Sequence, residues 1–467
     1  MCGQPQPTGD NGRASSDGTS ANDVGVEDES FWSSSPQLSD LRQFARARMV
    51  GPWAMLGNCL VRAASMIPPH VVLPPTIGDY ASLNLFVAVI GRSGDTKSAA
   101  MAAAESWCRV EPGYAPSKPG SGEGLAKCFA YVRKNPANAG GGYEQVGTQW
   151  SVVAKIPEVD TLVATATRGG ATIMSTLREG WSGERLGTDY AGDEKRIVLQ
   201  SNRYRLCLVM GVQPGRAQPL FDDADGGTPQ RFVWLPSADP YMPEIEPDEP
   251  APCDLGTWEP ATVNPLPLDI DTERNRLLAE LADPAGYAVL DIPEVAREAI
   301  RATRRAVARG DVSVDPLDGH KLLVRLKVAG ALMALEGRRT TITDGDWERA
   351  ETVMAVSDKT RQSVIDELKL QLDEKNTNRG VADGVRGDIA EQIKNDRAVN
   401  RVAENIARLL RDKFDGYCAR AEVRKRLNSR DRVYFDDAEI QLVNSWRIEK
   451  LHAANGSGDD GFILNVK

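Results

Sequence analysis

The residues with the clearest chemical potential form one octapeptide, Gly91-Arg92-Ser93-Gly94-Asp95-Thr96-Lys97-Ser98. Glycines in such a run let the backbone turn its N–H groups inward, and a helix N-terminus behind them favours negative charge. A lysine followed by a hydroxyl residue then suits a polyphosphate. Lys97 reaches the β- and γ-phosphates of ATP, and Ser98 ligates Mg2+. Gly91, Gly94, Asp95 and Thr96 complete the expected cradle. Thr96 stands where this pattern has glycine, so its side chain would crowd the phosphates or demand a φ that glycine tolerates best. The plainer reading is a polar turn that only caps the next helix.

Hydrolysis needs more than a cradle. The run Trp150–Asp160 is an apolar strand ending in acids. There Glu158 can orient water, and Asp160 can serve magnesium as an outer-shell carboxylate. Pro157 occupies the position usually held by aspartate. In Leu206–Pro214, a second apolar run, Gln213 stands at the carboxyl end, where it can sense a γ-phosphate. Arg231 lies in Gly227-Thr228-Pro229-Gln230-Arg231-Phe232, where a loop enters a strand. An arginine there can stabilise transition-state charge, on a neighbouring subunit's nucleotide or on its own. Each has a bland alternative: a surface acid pair, an amide closing a turn, a solvated arginine.

A third group is basic. Arg420, Arg424, Lys425, Arg426, Arg430 and Arg432 fall within thirteen residues. Arg420 and Arg424, four apart, share a helix face that would neutralise DNA phosphates. Asp431, Asp436, Asp437 and Glu439 dilute the cluster, and the expected recognition helix, Asp436–Ile448, begins acidic.

These residues need elements to hold them. Helical spacing over Leu38–Met66, interrupted at Gly51-Pro52, predicts two helices. Leu83–Ile90 is a near-continuous apolar run suited to a buried parallel strand, and an Ala-rich helix, Ala99–Trp107, follows the octapeptide. Trp150–Ala154, Tyr204–Val212 and Arg231–Leu235 are further strands, which predicts an α/β core over residues 36–236. Residues 1–35 read as a disordered acidic tail, and the Pro-rich, acidic stretch 237–268 reads as an extended linker. Helical periodicity from Thr272, through Val295–Val307, His320–Glu336 and Asp344–Leu370, predicts an α-helical domain over 269–396. Its polar end, Asp373–Asp396, would separate it from the last 70 residues. Helices Ala403–Lys413, Arg420–Leu427 and Asp436–Ile448, a Gly-rich turn at Asn455–Gly458 and a strand Phe462–Val466 predict a winged-helix-like domain over 397–467.

Composition sets the outer bounds. Of 467 residues 41% are hydrophobic, which excludes a wholly disordered chain. The net charge of −10 argues at first against a nucleic-acid partner. Residues 1–30 hold six acids and one base, and residues 237–254 hold six acids and no base, so the rest is near neutral. Seven cysteines without a CxxC spacing and three distant histidines predict neither a disulfide framework nor a zinc site. The polar N-terminus is no signal peptide, and Leu83–Gly91 is too short to span a bilayer. A reducing cytoplasm and no membrane are expected.

In combination the motifs resemble a known group, the P-loop ATPase/helicase-like proteins of actinobacterial phages, prophages and plasmids, related to the helicase module found after primase–polymerase domains. The resemblance rests on Phe31-Trp32, Gly51-Pro52-Trp53-Ala54-Met55-Leu56-Gly57, Ile67-Pro68-Pro69-His70 and Leu73-Pro74-Pro75. It continues through Ser82-Leu83-Asn84-Leu85-Phe86, the octapeptide, Gly120–Leu125, Gln213-Pro214, Pro229–Phe232, Lys327-Val328-Ala329 and Asp346-Trp347-Glu348. It implies a RecA/AAA-like P-loop NTPase core, with ATP hydrolysis coupled to movement on DNA as a helicase or translocase in phage or prophage DNA replication. It further implies a homo-oligomeric ring such as a hexamer, with a separate primase as partner. A replication initiator or regulator that binds ATP and assembles on DNA without unwinding is the alternative.

Overall fold

The computed structural model describes residues 29–110, 115–117, 120–134, 142–166, 172–187, 196–223, 226–258, 286–310, 320–415, 417–451 and 460–465. The chain divides into two compact units, Met1–Leu370 and Gln371–Lys467.

At the centre of the first unit is a parallel sheet. Strand β1 (Phe86–Ile90), rich in β-branched residues, is buried at every position. With β2 (Ala115–Ser117), β3 (Ser151–Ile156), β4 (Arg205–Val212) and β5 (Phe232–Pro236) it forms five parallel strands in the order β2-β3-β4-β1-β5. Ile90 pairs with Val212 and with Pro236, and Ile156 pairs with Met210, so β1, β3, β4 and β5 finish along one edge. In open parallel sheets that edge is where ligands bind.

Helices cover the sheet. Helix α1 (Pro36–Ala47) is N-capped by Ser35, whose Oγ accepts from the Leu38 N–H. Helix α2 (Pro52–Met66) is apolar on all sides and buried along nearly its whole length. It sits close on the sheet: a Cβ on Gly57 would come within 2.8 Å of Val87 and Leu235 side chains. Helix α3 (Lys97–Trp107) follows β1; α4 (Val159–Ala166) and α5 (Ile173–Ser182) follow β3. Beyond residue 286 come α6 (Glu294–Ala308), α7 (Lys321–Leu335) and α8 (Asp344–Lys413).

Buried charges tie α7 and the segment before β1 to the sheet through carbonyl groups. Lys327, 1% exposed, donates from Nζ to the carbonyls of Asn84 and Trp181 and lies 3.5 Å from the Trp181 ring centroid. The Arg205 guanidinium donates to the Ile67, Pro68 and Val71 carbonyls, Ser82 Oγ and Asn84 Oδ1. Asp346 caps α8: it accepts from the N–H and hydroxyl of Thr343 and pairs with Arg338 and Arg349.

Several expectations change here. The tail expected through residue 35 contains a helical turn, Glu29–Trp32, because Phe31 and Trp32 are buried on Trp53. The expected linker is held to the fold through residue 258. Asp239 pairs with Arg46, Glu249 pairs with Arg48, and Cys253-Asp254 form a parallel bridge to Cys108-Arg109. Two acids of the block are therefore counter-charges for arginines at the C-terminal end of α1. The two units divide at Leu370/Gln371, just before the polar stretch Asp373–Asp396, but α8 runs unbroken through that stretch, since it has no proline and its charges permit pairs such as Arg386–Asp383. The helix expected from Thr272 and the turn Asn455–Gly458 lie outside the described residues.

The second unit gathers the end of α8, α9 (Arg420–Arg426) and α10 (Phe435–Asn444) around Val402, Ile406, Val423, Phe435 and Phe462. Beside them is an antiparallel sheet of β6 (Tyr417–Ala419), β7 (Ile448–Leu451) and β8 (Gly461–Leu464), in the order β6-β8-β7. Helix α10 ends at Asn444, and Ile448 opens β7 instead of closing a helix.

Candidate functional site

The loop of residues 91–96 joins the carboxyl end of β1 to the N-terminus of α3. Gly94 has φ +90°, which favours glycine. Gly91 is required for space: a Cβ there would lie 1.9 Å from Ser237 Oγ and 2.9 Å from the Asp95 side chain. Thr96 adopts φ −67°, so the residue that departs from the glycine pattern carries no backbone strain. Asp95 folds back, its carboxylate accepting the Arg92 N–H.

Lys97, 8% exposed, opens α3, and its Nζ donates to the carbonyls of Gly91 and Arg92 at 2.8 and 2.6 Å. Burial lowers its pKa, while the nearby carboxylates of Asp95 and Glu158 oppose that shift. The ammonium is thus poised inside the loop with two acids close by.

A cavity of about 280 Å³ opens at this edge. Ser93, Gly94, Asp95, Lys97 and Ser98 supply one wall, Pro157, Glu158 and Thr161 a second, and Gln213 a third. Three strand ends thus bring together Lys97, Ser98, Glu158 and Gln213, residues spread over more than a hundred positions of sequence. The close approach of β3 and β4 depends on Gly211, where a Cβ would lie 2.2 Å from the Pro157 carbonyl oxygen and 3.7 Å from Lys97 Cδ.

Two expected residues lie elsewhere. Asp160 is exposed in the first turn of α4 and is not among the residues lining the cavity; helical geometry gives the inward place to Thr161. Arg231 sits just before β5, at the amino end of the sheet, whereas the cavity is at the carboxyl end. It is not among the residues lining the cavity. Its Nη1 donates to the Gly227 carbonyl at 2.7 Å, its guanidinium lies 5.4 Å from the Trp181 ring centroid, and Nε has no partner. Burial first, then the charge of Arg178, lowers its pKa.

Three contributors escaped the sequence reading: Gly211, Thr161 and Ser237. A lone glycine within an apolar strand signals close backbone approach, and Gly211 carried that signal. Ser237, directly after β5, is 4% exposed, and its Oγ has no partner; nothing in the sequence marks it.

Magnesium takes oxygen ligands and keeps several waters beside substrate phosphates. Ser98, with Glu158 and Asp95 nearby, fits that mode, but Asp160 does not. Among the described residues no group of three or more His, Cys, Asp or Glu side chains could hold a metal unaided.

In the second unit, Arg420, Arg424, Lys425 and Arg432 line a cavity of about 660 Å³ with Ala421 and Asp460. Arg420 is already paired with Glu439 and Asp436, the acids of α10. Arg432 donates to the carbonyls of Leu427 and Lys425 at the end of α9. Arg426 pairs with Glu422, and Arg430 is exposed outside this lining.

Among the described residues no helix is long and apolar enough to cross a membrane. In comparisons with known proteins, no family model and no curated protein matches the chain.

Proposed function

We propose that the chain is a P-loop ATPase with a RecA/AAA-like core and a C-terminal winged helix, a DNA helicase or translocase acting in phage or prophage replication. The observation that carries the reading is the cavity where Lys97, Ser98, Glu158 and Gln213 meet at the carboxyl ends of three adjacent parallel strands. A triphosphate entering it would exchange the loop carbonyls around Lys97 Nζ for phosphate oxygens. The N–H groups at the start of α3 would add their partial positive charge. Magnesium held by Ser98 and the phosphates would neutralise developing charge. Glu158, exposed across the cavity from Lys97, would orient the attacking water, with Gln213 reading the γ-phosphate.

Arg231 enters this scheme only as a group offered to a neighbouring subunit, which is the role a ring would give it. The converging cations of α9 would hold DNA by its phosphates. The initiator or regulator reading is favoured by one specific observation: Pro157 and the outward Asp160 leave the magnesium side poor in carboxylates, which suits ATP binding with slow turnover. Strand displacement on forked DNA separates the two. The helicase reading expects ATP-dependent unwinding that disappears in Lys97→Ala and Glu158→Gln. DNA binding without unwinding or turnover would refute it.

A further inference from the structure

Within the second unit, the first part of the α8 segment is bare. Residues 372–397 are exposed at every position, before Val402 and Ile406 enter the core of the unit. Along this span Val381, Val385, Ile389 and Ile393 recur every fourth residue, so they lie on one face. They are 63, 52, 51 and 46% exposed. Gly380, Gly384 and Gly387 fall on other faces, and a Cβ at any of them would meet nothing within 4 Å. Three such glycines weaken a solvated helix, whose persistence depends on packing an apolar face.

The charges beside the stripe indicate what packs there. With Val385 at heptad position d and Ile389 at a, Ala382 is also at a. Arg379, Arg386 and Ile393 then fall at e, and Glu374, Val381 and Asp388 at g. The charges on one edge are basic and those on the other acidic. In a parallel pair of identical helices g faces e of the other copy, and Glu374 stands five residues before Arg379, the spacing of that contact. In an antiparallel pair e faces e and g faces g, which sets arginine against arginine and acid against acid. Asn378 and Gln392, at d, bound the apolar stretch and favour a single register.

We infer that the α8 face bearing Val381, Val385, Ile389 and Ile393 docks in parallel on the same face of a second copy of this chain. The contact is independent of the nucleotide cavity. The same face on both copies makes the contact two-fold symmetric, so it closes at two chains.

The test is the mass of the full chain by sedimentation equilibrium, without nucleotide, up to about 100 µM. The parent should self-associate, and the double variant Val385→Asp/Ile389→Asp should raise the dissociation constant more than tenfold. Both substitutions are on exposed positions, and unchanged circular dichroism outside the loss expected of this span checks folding. The second arm uses the edges. Glu374→Arg alone and Arg379→Glu alone should each weaken association, and a mixture of the two should restore it. A parent that stays monomeric throughout the range overturns the inference, as does assembly that ignores these variants and requires ATP instead. That last outcome would leave the ATPase reading intact.

Discussion

Gly211→Ala is the sharpest perturbation of the cavity, because it adds one methyl group and removes nothing. The new Cβ would stand 2.2 Å from the Pro157 carbonyl oxygen, and real Cβ contacts essentially never fall under 3.0 Å. The carbonyl must therefore retreat by about 0.8 Å, carrying Glu158 with it, since no flexible side chain intervenes. Lys97 Cδ, at 3.7 Å, is already at ordinary contact distance and need not move. Misplacing a reacting group by about 1 Å costs roughly 100-fold in rate, or about 2.7 kcal/mol of activation free energy. Overpacking should add a stability loss of about 1–3 kcal/mol. The expected result is a drop in kcat of about two orders of magnitude with nucleotide affinity within about threefold of the parent. Steady-state hydrolysis paired with calorimetric titration of ATP measures both, and a thermal melt verifies folding. Turnover within twofold of the parent would mean that the β3–β4 approach does not position the water-activating acid.

Other consequences follow from the same geometry. Asp160→Asn should leave ATP affinity and turnover within about twofold, because the carboxylate lies outside the cavity; a hundredfold loss would return it to the magnesium role. Burial lowers His70 and His320 to about 4 from 6.5. As pH falls from 6.5 to 4, the unfolded chain takes up protons that the folded chain refuses. Their contribution to stability is thus full above 6.5 and declines below it. Tm measured between about pH 7.5 and 5 should fall, and more shallowly in His320→Gln; an unchanged slope would contradict the assignment. Arg424→Ala/Lys425→Ala should weaken DNA binding of all sequences alike and reduce the slope of log K against log salt by about 2. Arg420→Ala should instead lower the melting temperature, since it strips a partner from buried Glu439.

Periodicity carried much of this architecture. The apolar run before Gly91, the alanine helix after it and the three later strands are local patterns, and each stands within a few residues of its expected place. Glu158 and Gln213 were legible because an acid or amide directly after an apolar strand can only lie at a strand end. Local pattern fails where long-range contacts decide. Asp239 and Glu249 read as linker charges until Arg46, in the last turn of α1, and Arg48, its C-cap, supply their partners. Phe31 and Trp32 sat in a polar tail, and their burial follows from packing on Trp53, distant in sequence. The polarity of Asp373–Asp396 lies just past the unit division at Leu370/Gln371, but it did not reveal that α8 runs through it, because helix continuity depends on proline and pairing more than on hydropathy. Arg231 was placed in a strand entrance, but strand direction, which sequence does not give, puts that entrance opposite the cavity.

The most direct test of the account is ATP hydrolysis by the full chain, measured with and without forked DNA, beside Lys97→Ala. A P-loop ATPase acting on DNA should show magnesium-dependent turnover that DNA stimulates and that Lys97→Ala abolishes together with nucleotide binding. Hydrolysis that survives Lys97→Ala, or a parent chain that binds no nucleotide, would contradict the account.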